Sequence, residues 1–124
     1  MRTLILTVVL GALTAHPAFA QADKPPRKSY NCATQPITKD FGGSSWLVHS
    51  CDDVALFLVS APDSPASFSY FAIYPSEDEP GRYSIEGEGV GGKQASDAAL
   101  AEIRLLSPSE IAALIAEVKR RQPK

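Results

Sequence analysis

Apolar and polar residues alternate along the middle of the chain and fall on helical stripes near its end. From Ser45 the pattern is that of a strand, with Trp46, Leu47 and Val48 leading to Cys51. Asp52 and Asp53 interrupt it, and an apolar run over residues 54–59 follows. Two β-rich runs joined by two turn-forming residues predict a tight hairpin. Both sides of the 54–59 run are apolar, the mark of an interior strand covered on both faces. A third strand spans 68–74, with Phe68, Tyr70, Ala72 and Tyr74 on one side and Ser69, Phe71 and Ile73 on the other. A fourth spans 82–88, with Tyr83 and Ile85 inward and Arg82, Ser84 and Glu86 toward water.

Two helices follow. Ser96 is placed to cap the first, which runs to about Leu106 and offers Ala99, Leu100 and Ile103 to the core. Ser107, Pro108 and Glu110 form a capping-box signature at the start of the second. Ile111, Leu114, Ile115 and Val118 then recur at i, i+3, i+4 and i+7 as one apolar stripe. Lys119, Arg120 and Arg121 sit where the helix dipole favours cations. The order β-β-β-β-α-α predicts an α+β domain over residues 44–124: an antiparallel sheet of about four strands with a C-terminal helical hairpin packed on one face. Residues 21–43 have no clear period and read as an extended or irregular lead-in, with a turn from Asp40 to Gly43.

Residues 1–20 stand apart. Arg2, a short apolar run, Pro17 and then Ala18 and Ala20 flanking Phe19 are the layout of a secretory signal. The run is about half the roughly 20 apolar residues needed to span a bilayer, so a cleaved leader is expected and a stable membrane anchor is not. The expected destination is the bacterial periplasm or the medium. Export changes the reading of Cys32 and Cys51, the only cysteines. In an oxidising compartment an even count favours a structural disulfide, and a loop of this size would stabilise the fold by roughly 3 kcal/mol.

The chain has 124 residues, 12 basic and 14 acidic, for a formal net charge of −2. That balance gives no basic stripe to neutralise phosphates, so a nucleic-acid partner is not expected. Neither is a metal, because two thiols and His49 fall short of a closed tetrahedral site. Gly87, Gly89 and Gly92, followed by Lys93, echo phosphate-binding loops. Gln94 stands where such a loop needs a hydroxyl, Glu86 and Glu88 would repel phosphate, and no βαβ unit follows. The segment therefore reads as a flexible connection, and no cofactor is expected. Glu77, Asp78 and Glu79 read as a solvated acidic turn, and the basic ends (Lys24 to Lys28 and Lys119 to Lys124) as solubilising charge.

His49 is the candidate general base, but no nucleophile is singled out beside it, and no catalytic residue is assigned. The sheet instead holds a surplus of aromatics. Trp46, Tyr70 and Tyr74 are the candidate binding surface if the helices cover only one face. The expected function is a non-enzymatic binding or protein-interaction module, its partner an unidentified protein or small ligand. Two alternatives stand beside it. One is a secreted inhibitor of a protease or wall hydrolase, inserting the loop at 61–67 or 75–81. The other is a small hydrolase using His49.

Overall fold

A computed structural model describes residues 28–89 and 92–123. The expected leader at residues 1–20 lies outside the described residues. Among the described residues, five strands precede two helices: β1 (Ile37–Phe41), β2 (Ser44–Cys51), β3 (Ala55–Ser60), β4 (Ser69–Pro75), β5 (Tyr83–Gly89), α1 (Lys93–Ile103) and α2 (Pro108–Arg120). The strands form one antiparallel sheet whose spatial order is the chain order. The α+β class and the C-terminal helix pair agree with the sequence pattern, and the strand count rises from four to five.

The added strand is β1, inside the segment expected to be irregular. Its pattern was hidden by Lys39, which shares the inward side with Ile37 and Phe41. Lys39 lies along the core and brings its ammonium to the Glu117 carboxylate of α2 at 3.0 Å. Asp40 is a strand residue, and the turn is confined to Gly42 and Gly43, with φ of 60° and 81°. Positive φ at both central positions gives the twist a two-residue hairpin needs. Gly42 is required twice over, because a Cβ there would lie 2.4 Å from the backbone of Ala98 and Ala99. The hairpin at Asp52 and Asp53 forms, both residues having positive φ (50° and 57°), but its last pair is Cys51 with Ala55, so Val54 joins the turn and the loop has three residues rather than two.

One face of the sheet makes the core. Trp46, Val48, Leu58 and Ile73 are wholly buried there against Ala99, Ile103 and Val118 of the helices. The Trp46 ring stacks at a tilt on Phe71, with centroids 5.1 Å apart. Its indole N–H donates to Ser44 Oγ at 3.0 Å, and that hydroxyl donates to the Phe41 carbonyl at 3.2 Å. β3 is the middle strand, and over most of its length it is covered on one side alone; Ala55, paired with the bridged Cys51, is buried on the other. Leu56 and Leu58 are buried, Phe57 and Val59 are half-buried, and Val54 is exposed in the turn. The continuous apolar run thus marks centrality in the sheet rather than double coverage.

The first helix deviates at both ends, closing at Ile103 rather than near Leu106. α1 starts at Lys93, three residues before the expected cap, with Gly92 in the left-handed conformation ahead of it. Ser96 lies within the first turn, and its hydroxyl donates back to the Lys93 carbonyl at 3.0 Å. α2 has the expected capping box: Glu110 N–H donates to Ser107 Oγ at 3.1 Å, and Ser107 N–H donates to Glu110 Oε1 at 3.2 Å. No helix among the described residues is long and apolar enough to cross a membrane.

Cys32 and Cys51 are joined by a disulfide. The bridge holds the segment before β1 along the end of β2, where β1 no longer pairs. Thr34 Oγ1 donates to the Ser50 carbonyl at 3.2 Å and accepts from the Ser50 N–H at 3.1 Å. Asn31 and Asp52 exchange two further bonds.

Candidate functional site

Side chains alternate along a strand, so placing Trp46 and Val48 in the core sends Leu47 and His49 to the opposite face. The register extends this across the sheet. Leu47 faces Val59, Val59 faces Tyr70, and Tyr70 faces Glu88. The next row runs from His49 through Phe57 and Ala72 to Glu86. Neither helix covers this face; the segment before β1 reaches only its β2 end, through the Cys32–Cys51 bridge and the Thr34 carbonyl, and there Cys51 and Ala55 are buried. Its centre is apolar and aromatic, with the Phe57 and Tyr70 rings 5.6 Å apart and Tyr70 38% exposed. Its β5 side carries carboxylates, and its β2 side carries the imidazole and the disulfide.

The three aromatics expected at a binding surface therefore divide. Tyr70 and Tyr74 lie on the open face. Trp46 does not; it is 0% exposed and belongs to the core. Leu47, Phe57 and Val59, which sequence reasoning did not select, join the surface instead. The signal that could have found them is their strand parity relative to Tyr70, once the register of β2, β3 and β4 is known.

His49 is oriented by one bond, from its Nδ1 to the Thr34 carbonyl at 2.8 Å. A carbonyl oxygen only accepts, so Nδ1 carries the hydrogen in this bond. No hydroxyl or carboxylate side chain bonds to the ring among the described residues, and the neighbouring Ser50 is buried on the other face. The geometry holds the ring still without assembling a nucleophile beside it.

The remaining motifs have packing roles. A Cβ on Gly87 would lie 2.2 Å from the Phe71 ring, and one on Gly92 would lie 1.7 Å from the Pro65 carbonyl. These glycines admit neighbours at close range, while residues 90–91 lie outside the described residues. In the acidic turn, Glu79 pairs with Arg82 at 3.2 Å. No group of three metal-ligating side chains occurs among the described residues. In the loop at 61–67, Ser64 and Ala66 are buried while Pro62, Asp63 and Pro65 are exposed. Phe68, at its end, is 82% exposed with φ of 62°. Of the basic C-terminal residues, Lys119 meets Asp53 at 3.4 Å and Arg121 meets Glu117 at 3.2 Å.

No family model, curated protein or solved structure matches the chain.

Proposed function

We propose that the protein is an exported, non-enzymatic binding module that engages a protein partner through the open face of its sheet. The observation that carries this reading is the Phe57–Tyr70 ring pair on a face that neither helix covers. Flat aromatic and aliphatic side chains held on a rigid sheet lose little conformational freedom on binding, which favours their use as anchors. Glu88 and Glu86, next to Tyr70 and Ala72 in the register, suit a partner that is apolar at its centre and basic where it meets β5. Residues 1–20 and the paired cysteines support export, since both fit a compartment in which thiols oxidise.

The test places a photo-crosslinking residue at position 70 and, separately, at the exposed Ala101 of α1, in cells that secrete the protein. The expected result is one discrete adduct from position 70, lost when Phe57→Ser is added, and none from position 101. Equal labelling from both positions, or none from position 70, overturns the reading. Intact mass checks the export step separately: the chain should begin at Gln21 and carry no free thiol.

A further inference from the structure

We propose that two copies of the chain pair through the free edge of β1, joining their sheets and setting their α2 helices side by side. This contact is separate from the open face and leaves it uncovered.

The backbone sets the register. The Ser45 carbonyl accepts from the Ala61 N–H at 3.0 Å, so Ser45 turns its polar groups toward β3. Successive residues of a strand turn theirs to opposite edges. Trp46 therefore turns toward β1, and its partner Lys39 turns toward β2. Thr38 and Asp40, on either side of Lys39, direct their N–H and C=O groups away from the sheet. A two-fold axis through Lys39 sets Thr38 against the partner's Asp40 and Asp40 against the partner's Thr38. Both outward residues are paired in one step, which is the self-complementarity an isologous contact requires.

The edge is also bounded. The Gln122 side-chain amide accepts from the Gln35 N–H and donates to the Gln35 carbonyl, both at 2.8 Å, as a neighbouring strand would. Pairing is thereby confined to the stretch around Lys39, as expected of an edge that is not to propagate.

The helix beneath fits the same axis. A groove of about 350 Å³ runs between β1 and α2, lined in part by Phe41, Leu106 and Leu114. Along it α2 presents Glu110, Ala113, Leu114, Glu117 and Arg120, which share one side of the helix by their spacing. Ala113 is exposed and small enough to let a second helix approach. The axis that pairs β1 sets the two α2 helices antiparallel. Glu110 at one end of the stripe then meets the partner's Arg120 at the other, twice over. The Lys39–Glu117 contact ties the centre of the strand to the stripe, at a residue within one helical turn of its middle. It also neutralises the two lysines that the axis brings together.

Sedimentation equilibrium on the disulfide-intact chain tests the proposal. The expected species is a dimer that dissociates on dilution. Ala113→Arg, at an exposed position, should raise the dimer Kd at least about tenfold while leaving the melting curve of the monomer in place. Arg120→Glu should act in the same direction. A monomer at every concentration overturns the proposal, including one that binds only a foreign peptide at β1. So does a dimer that ignores Ala113→Arg and Arg120→Glu but is lost in Tyr70→Ala, which would move the contact to the open face.

Discussion

Phe57 and Leu58 are adjacent on the middle strand, yet Leu58 is wholly buried and Phe57 stands half in water. The same contrast holds for Val48 against Leu47 and for Ile73 against Ala72. One face of the sheet is closed by two helices and takes almost all of the large buried side chains. The other is nearly as apolar and is closed by neither helix. Burial of apolar area drives folding, so stability resides on the helix side. The open side is held rigid by the same strands without contributing much to their stability. A surface of that kind can change its side chains at little cost to the fold, and for that reason it is the part of the molecule suited to recognition.

The most direct way to break this comparison is to truncate an aromatic on each side. Trp46→Ala removes a fully buried ring, its contact with Phe71 and its bond to Ser44. The expected loss is about 3–5 kcal/mol, measured by urea denaturation. Tyr70→Ala on the open face should cost no more than about 1 kcal/mol, the range of a cross-strand pair. Equal losses would mean that the open face carries load and is not spare surface. Next in size is the disulfide. Replacing both Cys32 and Cys51 with Ser should cost roughly 3 kcal/mol. It should also free the segment that carries Thr34, so that His49 loses its carbonyl partner. Hydrogen exchange at Ser50 and Asp52 would report that release while the core amides keep their protection.

Much of the helix side was legible in the sequence, and the division between the two sides was not. The capping box and the stripe from Ile111 to Val118 depend on spacing within one helix, so local pattern suffices. The same is true of the Asp52–Asp53 turn and of the alternation in β4. β1 escaped because an amphipathic lysine occupies an inward position, where the pattern requires an apolar residue. Ser96 gives no warning, because a serine that bonds back within the first turn looks, in sequence, the same as one that caps it. Trp46 and Tyr70 look alike as candidate surface because parity tells which residues of a strand share a side but not which side receives the helices. That information lies in the packing of α1 and α2, in contacts such as Gly42 against Ala98 and Ala99, far apart in the chain.

A smaller effect sharpens the helix side. Ser107→Ala removes the acceptor for the Glu110 N–H and leaves the reciprocal bond from Ser107 to Glu110. The expected cost is about 1 kcal/mol. Because α2 supplies Ile111, Ile115 and Val118 to the core, this loss should appear as a lower global midpoint with an unchanged denaturant slope. A shallower slope would instead mean that α2 frays away from the sheet before the rest unfolds.

The smallest expected effect tests the rim where β1 meets α2. The Glu117 carboxyl is held below its ordinary value, chiefly by the hydrogen bond from Lys39, with added attraction from the charges of Lys39, Arg121 and Arg120; desolvation opposes this. A lowered value means that the folded state favours the ionised form. Its contribution is in place above the ordinary glutamate pKa of about 4.3 and fades as pH falls through the lowered folded value. Both partners keep some contact with water, so the contribution should stay under about 1 kcal/mol at neutral pH. Glu117→Gln cannot ionise and should lack this part of the pH dependence. Urea midpoints of the variant and the parent chain should differ at pH 7 and converge as the medium becomes strongly acidic. Curves that stay parallel over the whole range would show that the Lys39–Glu117 contact adds nothing to the closure of the helix-covered face, leaving apolar burial alone to set the two faces apart.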